Sequence, residues 1–357
     1  MTDTFSDVIK AVISTLSPSN PPQRFFSLDY TPYIRYHYFM VTTDHIVQLF
    51  NHFSISPLSI EKMNDNFSTT VWRIKTSDTT LYLRYHEKED EALANLFEPE
   101  AIALEQVKKA GARVPGVVSW NDDCSYFPRP FIILSEVKGT SLTKDLQDKT
   151  QIESVLYEAG RDLALINSVK TIKFGYCNDR QTKKNQKVTG NDNSWYDFIK
   201  CPEQESLVLF QKKGLLTEHD AHRIQKAFAE NRNAFSISTG YLAHGDFDFS
   251  HIFHTNGKYS GIIDFGDKRS FDPVYDLAHF NMYEPKFMKY VKRGWIERVI
   301  AEDLHPELDL QSLDTRIQFY TLAIALNKGS WIIRYMQNPH PERFVKSIMR
   351  CLVFLEK

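Results

Sequence analysis

The sequence contains few cysteines, and no two of them lie close together. Its 357 residues include four, and their spacing gives no CxxC pair that would hold zinc or form a redox disulfide. A chain of this length also buries enough apolar surface to fold without a disulfide framework. We therefore expect reduced and mostly buried thiols at Cys124, Cys177, Cys201 and Cys351.

An excess of positive charge and a long apolar run are absent as well. The 43 basic and 45 acidic residues give a formal net charge of −2, and no basic block is present to attract nucleic acid. Nowhere do about 18 apolar residues follow one another, so we expect no membrane span. The N-terminal segment MTDTFSDVIKAVIS lacks the basic region and apolar run of a secretory signal, and we expect a cytoplasmic protein.

The N-terminal region is the least informative part of the sequence. Apolar residues recur with helical spacing over residues 4–16, and three prolines then interrupt the pattern. Thr43 and Asp44 can cap a short helix that runs to Phe53. We predict an N-terminal helical extension over residues 1–55, and the sequence does not decide whether it is a lid, a packing arm or a partner surface.

Residues 56–137 have the pattern of a small α+β lobe. Two segments alternate and are rich in β-branched and aromatic residues, and the Ser77-Asp78 pair between them is typical of a hairpin turn. A helix with proline in its first turn and glycine at its end follows, and then two more apolar segments. The predicted elements are strands at 70–74 and 80–85, a helix at 99–110, and strands at 117–120 and 131–134.

Residues 138–357 have a predominantly helical pattern. The polar stretch 177–193 is expected to be an exposed loop. One short hairpin is expected among the helices, where strands at 251–254 and 259–263 flank an Asn-Gly turn. The predicted helices cover residues 151–168, 194–211, 217–233, 284–303 and 310–337.

The region around this hairpin has the clearest chemical pattern. The sequence HGDFDFSH (residues 244–251) precedes the hairpin, and Asp264-Phe265-Gly266 follows it. Because the second strand returns toward the start of the first, Asp264 should lie close to the loop that holds Asp246. Phosphoryl transfer needs such a pair, in which one carboxylate positions a hydroxyl group and the other holds Mg²⁺ against the phosphates.

The ordered motifs HGDxxxxH, IIDFG and DPxxDLA resemble the signature region of the aminoglycoside phosphotransferase family. That family shares its fold with choline kinases and, more distantly, with protein kinases. The resemblance implies an α+β, bilobal protein-kinase-like fold, with a small β-sheet N-lobe (56–137) that contains one main helix and a larger, mostly helical C-lobe (138–357). The implied activity is transfer of the γ-phosphate of ATP or GTP to a hydroxyl group of a small molecule, with Mg²⁺ as cofactor.

In the C-lobe the resemblance implies four residue roles. Asp246 would be the catalytic base that orients the acceptor hydroxyl, and Asp264 would bind Mg²⁺ between the ATP phosphates. Asp276 would brace the catalytic loop from behind, and His244 would orient that loop by hydrogen bonding.

In the N-lobe the resemblance implies a nucleotide site. A helix glutamate, Glu100, would pair with the strand residue Arg84. The hinge would meet adenine through one carbonyl and one amide, and the loop before the second strand would donate to the phosphates. The predicted nucleotide-binding residues are Arg84, Glu100, Ser135, Val137, Ser68 and Thr69.

Two positions depart from the family pattern. Arg84 stands where a lysine is expected, but arginine is always charged and can hold phosphate through its planar fork. His251 stands where many members carry a metal-binding asparagine, and Mg²⁺ prefers oxygen ligands. His251 is therefore predicted either to bind one metal through nitrogen or to contact a phosphate or a bound water.

Other interpretations fit individual residues. Asp246 alone could be an N-cap, Glu100 could complement a helix dipole, and Arg84 could be a surface strand residue. Four histidines that are close in sequence could suggest a zinc hydrolase, although their spacing does not match HExxH. These histidines are His244, His251, His254 and His279.

Two other protein classes and several acceptors also have to be considered. A nucleotide-binding pseudokinase that acts through a partner would explain Arg84 and His251, but the presence of both Asp246 and Asp264 argues against it. A protein kinase would need a GxGxxG loop and an APE-like segment, which the sequence lacks. The acceptor could be an antibiotic, an amino alcohol or a sugar. From Glu284 to the end, 12 Lys/Arg and 9 Asp/Glu give a net charge of +3, which does not favour a polycation.

Overall fold

A computed structural model describes most of the chain from residue 40 onward. It covers residues 40–63, 69–87, 96–143, 148–200, 203–232, 235, 237–336 and 340–357. The helix predicted at residues 4–16 and the predicted phosphate contact Ser68 lie outside this part of the chain.

The N-lobe is a small antiparallel sheet with two helices. Its elements are helix α1 (Thr43–His52), strands β1 (Ser59–Lys62), β2 (Thr70–Lys75) and β3 (Thr80–Tyr85), helix α2 (Glu98–Lys109), and strands β4 (Val117–Asn121) and β5 (Phe131–Ser135). The strand order is β1-β2-β3-β5-β4. In β3 the residues Leu81, Leu83 and Tyr85 are buried and alternate with half-buried ones, as expected for a strand with one face on a core.

Helix α1 belongs to the N-lobe by its packing. The Thr42 hydroxyl accepts a hydrogen bond from the backbone N–H of His45, so the N-cap lies one residue before the predicted pair. Ile46, Leu49 and Phe50 are fully buried in the same core cluster as the sheet residues. Part of the segment predicted as an N-terminal extension therefore contributes to the core of the sheet lobe.

The C-lobe is larger and mostly helical. Its first half comprises β6 (Thr140–Ser141), α3 (Lys149–Ser168), β7 (Phe174–Cys177), α4 (Asp179–Asn185), β8 (Gly190–Asp192), α5 (Trp195–Lys200), α6 (Glu203–Lys212) and α7 (Glu218–Asn231). Its second half comprises β9 (Tyr241–Ala243), β10 (Ile252–Thr255), β11 (Lys258–Ile262), β12 (Arg269–Phe271), α8 (Tyr275–Tyr283), α9 (Met288–Glu302), α10 (Leu313–Tyr335) and α11 (Glu342–Leu355). Two small sheets, β11-β10-β6 and β8-β7-β12-β9, lie among these helices. The predicted α+β class and two-lobe architecture are confirmed.

The segment that joins the lobes is packed against the hairpin β10–β11. Gly139 has φ 99°, and a Cβ atom there would lie 1.9 Å from the carbonyl oxygen of His254. Only glycine permits both this left-handed conformation and this close approach. Directly after Gly139, β6 pairs with β10 in an antiparallel register. The Asn-Gly turn is confirmed, because Asn256 and Gly257 have φ values of 51° and 74°, as a tight hairpin requires.

One sequence expectation about the C-lobe is wrong, and two helices were not predicted. The stretch 177–193 is not a loop throughout, because it contains α4 and β8. The Asn178 side chain caps α4, and the buried Thr182 hydroxyl accepts a hydrogen bond from the N–H of Thr189, so local polar contacts outweigh the low hydrophobicity. Helices α8 and α11 were not predicted.

No helix in the described ranges is long and apolar enough to cross a lipid bilayer.

Candidate active site

A buried carboxylate, Asp276, holds the backbone of the loop that carries Asp246. It lies in the first turn of α8 with no exposed surface. Its Oδ2 accepts hydrogen bonds from the N–H of His244 and from Nδ2 of Asn167, both at 2.8 Å, and its Oδ1 accepts from the N–H of Gly245 at 2.9 Å. Hydrogen bonds to an ionised acceptor away from water are stronger than neutral ones. The structure therefore places Asp276 where the predicted brace would lie.

His244 links the same loop to the end of the hairpin. Its Nε2 lies 2.8 Å from the carbonyl oxygen of Ile263, and the N–H of Asp246 donates to its Nδ1 at 3.3 Å. A neutral imidazole has one donor and one acceptor nitrogen, so Nε2 carries the proton in this arrangement. The ring is fully buried. It connects the residue before Asp264 with Asp246 and so fixes the separation of the two carboxylates.

Gly245 allows the backbone of the loop that carries Asp246 to contact the backbone that follows Asp264. Its φ is 88°, and a Cβ atom would lie 1.9 Å from the carbonyl oxygen of Asp267. A side chain at this position would be strained and would also collide with main-chain atoms. The glycine of the HGD motif is thus required by geometry.

Asp246 contacts side chains from two C-lobe helices. Lys328 of α10 donates from Nζ to Oδ1 at 2.7 Å, and Nε2 of His279 in α8 lies 3.4 Å from the same oxygen. Burial raises the pKa of Asp246, but the charge and hydrogen bond of Lys328 outweigh it and hold the pKa well below its usual value. The carboxylate is therefore ionised at neutral pH and can accept a hydrogen bond from a hydroxyl group.

His279 places an acceptor nitrogen beside Asp246. Its Nδ1 lies 3.1 Å from the carbonyl oxygen of Phe247. Burial, and then the charge of Lys328, lower the pKa of this ring well below its usual value, so the ring is neutral. Because Nδ1 donates to the carbonyl, Nε2 carries the lone pair, and it has no hydrogen-bond partner among the residues described. Nε2 of His279 therefore contacts Asp246 without forming a hydrogen bond to it.

Asp264 lies directly after the hairpin, in contact with the N-lobe. Its φ is 69°, and its Oδ1 accepts from Nη2 of Arg84 at 3.3 Å and from the N–H of Gly266 at 3.3 Å. The other guanidinium nitrogen, Nη1, is 2.6 Å from Oε1 of the buried Glu100. Burial raises the pKa of Asp264, but Arg84 and His251 outweigh it and leave the pKa lowered. Arg84 therefore joins α2 of the N-lobe to the hairpin of the C-lobe.

His251 lies between the two reactive carboxylates. Its Nδ1 lies 2.7 Å from the carbonyl oxygen of Asp246, and its Nε2 lies 3.8 Å from Oδ2 of Asp264. In the described part of the chain, no group of three or more His, Cys, Asp or Glu side chains is arranged to hold a metal ion. Mg²⁺, however, keeps several waters and phosphate oxygens and needs only one or two protein carboxylates. Asp264, with Nε2 of His251 3.8 Å from its Oδ2, fits one Mg²⁺ bound together with a nucleotide.

The four histidines considered for a zinc site do not converge. Both ring nitrogens of His244 bond to main-chain groups, and Nδ1 of His254 accepts from the N–H of Gly257. His279 faces Asp246 through Nε2, whereas His251 faces Asp264. The structure therefore gives no support to the zinc hydrolase alternative.

The predicted adenine contacts lie where β5 ends. Ser135 is the last residue of β5, and its hydroxyl accepts a hydrogen bond from the N–H of Gly116 at 2.7 Å. Val137 follows outside any strand, and its backbone N–H makes no hydrogen bond within the described ranges. Thr69 lies immediately before β2. An unused hinge amide is available to a ligand, as nucleotide recognition would require.

A second buried carboxylate, Asp272, anchors the DPxxD segment to α10. It is fully buried, and its Oδ2 accepts from Nη1 of Arg316 at 2.7 Å and from the Tyr320 hydroxyl at 2.8 Å. Its Oδ1 accepts from the N–H of Val274 at 2.8 Å. Such a buried pair stabilises the fold only while every member is present. The segment between β12 and α8 is thereby fixed against the helix that carries Lys328.

A cavity of about 620 Å³ opens beside Asp246, and Arg84 does not line it. Its walls come mainly from the catalytic loop, α10 and the start of α11. A volume of this size accommodates a small organic molecule. Besides Asp246, the lining includes aromatic and cationic side chains, among them Tyr176, Arg269, Tyr283, Lys328, Trp331 and Arg343.

The structure brings most of the predicted site residues together. One connected network of contacts contains Asp246, Asp264, His251, His244, Asp276, Arg84 and Glu100. Lys328 and His279 were not predicted at this site. No motif identifies Lys328, because it lies 82 residues after Asp246, although a lysine in a long helix near the end of the chain was visible in the sequence.

The sequence also matches a known family model. The model is described as the phosphotransferase enzyme family, and it matches residues 59–306, which is more than half of the chain. The chain belongs to this family. The predicted family resemblance and the predicted phosphotransferase class are thereby confirmed. A comparison with curated proteins found no match.

Solved structures share the fold at low sequence identity. The thermostable mutant of aminoglycoside phosphotransferase APH(4)-Ia, in a ternary complex with ADP and hygromycin B, has a TM-score of 0.59 at 17% identity and covers 86% of this chain and 96% of that one. A putative fructosamine-3-kinase from Thermobifida fusca has a TM-score of 0.59 at 15% identity, with coverages of 86% and 96%. Macrolide 2'-phosphotransferase MphH from Brachybacterium faecium has a TM-score of 0.58 at 12% identity, with coverages of 85% and 97%. At such identities the likeness shows the fold alone.

Proposed function

We propose that the protein transfers the γ-phosphate of ATP or GTP to a hydroxyl group of a small molecule. The observation that carries this proposal is the convergence of two ionised carboxylates, Asp246 and Asp264, on either side of His251. Asp246 faces the cavity, and Asp264 faces Arg84 of the N-lobe. This is the arrangement that in-line transfer between a nucleotide and an acceptor requires.

The nucleotide lies between the lobes in this proposal. The adenine meets the free amide of Val137 and the carbonyl of Ser135, and Thr69 and Ser68 donate to the phosphates. Arg84 is held by Glu100 at 2.6 Å, so its guanidinium is fixed in place and holds the phosphates near Asp264. Fixed cations of this kind stabilise the charge that spreads over the phosphoryl oxygens. Mg²⁺ at Asp264 neutralises the phosphates when it is bound.

Asp246 acts on the acceptor. Its carboxylate accepts a hydrogen bond from the acceptor hydroxyl and directs the oxygen at the γ-phosphorus. As the new P–O bond forms, Asp246 takes the proton, the bond from the γ-phosphorus to the β,γ-bridging oxygen breaks, and ADP or GDP leaves. Because its pKa lies below the usual range, Asp246 acts mainly by positioning until the hydroxyl begins to lose its proton. Lys328 stays within hydrogen-bond distance of Oδ1 of Asp246 and holds the carboxylate in one rotamer.

The test is Asp246→Asn measured beside the wild type with ATP and with GTP, in the presence of Mg²⁺. The acceptor panel contains aminoglycosides, other antibiotics, amino alcohols and sugars. Acceptor-dependent kcat should fall on the order of 10²–10⁴-fold, the usual contribution of a positioned acid or base. Asp314→Asn, which removes an exposed carboxylate on α10, is the matched control. Full transfer by Asp246→Asn would refute the mechanism.

The alternative is a pseudokinase that binds nucleotide without catalysis. Arg84 at the lysine position and His251 at the asparagine position are the observations that favour it. The same panel separates the two proposals. Tight binding of a nucleotide, without turnover that depends on any acceptor, would favour the pseudokinase.

A further inference from the structure

Three of the five aromatic rings that line the acceptor cavity already lie near cations of the protein. The guanidinium of Arg269 lies 4.6 Å from the ring centre of Tyr176 and 5.3 Å from that of Tyr275. The guanidinium of Arg343 lies 5.0 Å from the ring centre of Tyr283, and Nζ of Lys328 lies 5.8 Å from the same ring. A cationic ligand binds an aromatic cage through free ring faces, and at these three rings it would compete with cations of the protein.

The same cations have few acidic partners. Arg343 forms no ion pair with the described residues and is exposed to solvent. Arg269 donates to the Tyr275 hydroxyl at 2.6 Å and to the carbonyl oxygen of Asp267 at 3.4 Å, and it likewise forms no ion pair with a described side chain. Lys328 pairs with Asp246 alone. Guanidinium groups without a carboxylate partner are the protein groups that best recognise carboxylate and phosphate.

The acids of the cavity lie mainly on the side of the catalytic loop, where other groups offset them. Asp248 lies 3.6 Å from Nδ1 of His251 and accepts from the N–H of Ser250 at 2.8 Å. Burial raises the pKa of Glu284, and Asp248 raises it further. Asp267 lies close enough to Arg269 to stabilise its charge. Four acids and three cations line the cavity, and Asp246 is paired with Lys328. Arg343 is the exposed member of these cations, and it forms no ion pair with a described residue.

We propose that the acceptor is a hydroxyl compound that also carries an anionic group, either a carboxylate or a phosphate. Arg343 holds the anionic group, and the charge of the buried Arg269 supports it, while the hydroxyl group meets Asp246. Trp331, which is 56% exposed at the rim, covers the carbon skeleton between them. This inference rests on the proposed function and specifies its substrate class.

The test is a set of four ligands that share one carbon skeleton. D-glucose is neutral, D-glucosamine is cationic, D-gluconate carries a carboxylate, and D-glucose 6-phosphate carries a phosphate. Binding to the full chain is measured by titration calorimetry with Mg²⁺ and AMP-PNP present. The anionic ligands should bind at least about tenfold more tightly than glucose, and glucosamine should bind no better than glucose. Comparing the affinities of gluconate and glucose 6-phosphate shows whether the site prefers a carboxylate or a phosphate.

Variants of Arg343 sharpen the test. Arg343→Gln should remove most of the preference for an anion, and Arg343→Glu should reverse it in favour of glucosamine. Arg334→Gln is the control, because Arg334 also lies on this side of the chain but pairs with Glu205 and does not line the cavity. Failure of both anions to bind, equal binding of glucose, or an unchanged preference in Arg343→Gln would each overturn the proposal.

A transfer assay separates this inference from the proposed function. Asp246-dependent phosphorylation of glucosamine or hygromycin B, with no use of the anionic acceptors, would overturn the substrate class and leave the phosphotransferase standing. Preferential binding of anions without transfer to any acceptor would count against the phosphotransferase and leave the anion site standing.

Discussion

Two sets of acidic and imidazole side chains lie a few ångströms apart and differ in how completely they are paired. The support layer consists of Asp272, Asp276 and His244, which are fully buried. The reactive face consists of Asp246 and Asp264, whose side chains are 32% and 44% exposed. Every oxygen of the two support-layer carboxylates accepts a hydrogen bond from the protein. On the reactive face, Oδ2 of Asp264 has only His251, at 3.8 Å, as a partner among the described residues.

This difference in hydrogen bonding indicates different roles for the support layer and the reactive face. A buried carboxylate with all its acceptor sites filled has one favourable arrangement, and it fixes the backbone around it. A half-exposed carboxylate with unfilled sites keeps capacity for a ligand. Substitutions in the support layer should therefore change both stability and activity, and substitutions on the reactive face should change activity alone.

The largest effect is expected for Asp272→Ala. The substitution leaves the guanidinium of Arg316 buried without its partner, and breaking a buried ion pair costs about 3–5 kcal/mol. Urea unfolding, followed by circular dichroism, measures the loss. Asp309→Ala, at an exposed turn, serves as control. A decrease in the free energy of unfolding of less than about 1 kcal/mol would contradict the proposed difference between the support layer and the reactive face.

Asp276→Ala should cost somewhat less stability and most of the activity. Three N–H donors, from His244, Gly245 and Asn167, lose an ionised acceptor, for an expected loss of about 2–3 kcal/mol. Unfolding and phosphotransfer are measured on the same preparation. Asp246→Asn provides the contrast, since it should leave stability nearly unchanged. Comparable destabilisation by the two substitutions would contradict the comparison.

Arg84 tests the connection between the reactive face and the N-lobe. Arg84→Lys keeps the charge but loses the fork that reaches Glu100 and Asp264 together, so the KM for ATP should rise about tenfold with a smaller change in kcat. Arg84→Gln also removes the positive charge, and the KM for ATP should rise further than in Arg84→Lys. Initial rates over a range of ATP concentrations give both constants. Equal values for Lys and Arg would show that the fork geometry is unimportant.

The smallest effect concerns a buried histidine outside both sets. Burial lowers the pKa of His305 to about 4, with Lys170 adding to the shift and Glu307 opposing it. Because its pKa in the folded chain is depressed, the stability it contributes is present above the unfolded value near 6.5 and is lost as the pH falls toward 4. Between pH 7.5 and 5.5 this loss should be about 1 kcal/mol.

His305→Phe should remove that pH dependence. His305 is stacked on Trp295 with the ring planes 9° apart, so an aromatic replacement keeps the packing while it removes the titrating group. Unfolding free energies at the two pH values are compared for both proteins. An unchanged slope in the variant would assign the acid sensitivity to another group.

The reactive face was largely predictable from the sequence because its residues are close together in the chain. Between Asp246 and Asp264 only one hairpin intervenes, and a hairpin of that length can return only to its own start. Helix α8 was not predicted, because it is buried on nearly all sides and shows no periodic pattern. Helix α11 does have an amphipathic pattern, with Phe344, Ile348 and Cys351 buried, and it was nevertheless missed.

The cavity wall was not predictable in the same way. Lys328 and Arg343 reach the site through the packing of α10 and α11, and no local pattern states which face of a helix meets a distant loop. The partner of Asp272, Arg316, lies 44 residues further on. Such long-range contacts depend on the whole tertiary arrangement.

The close contact at Gly139 has a mechanical consequence. The interlobe segment touches the carbonyl of His254 and continues into a strand that pairs with the hairpin. The hairpin ends next to Asp264, so the interlobe segment and the hairpin form one packed unit that reaches Asp264. We expect any rotation at the hinge to displace the hairpin and Asp264 together, while Asp246 stays with the helices behind it.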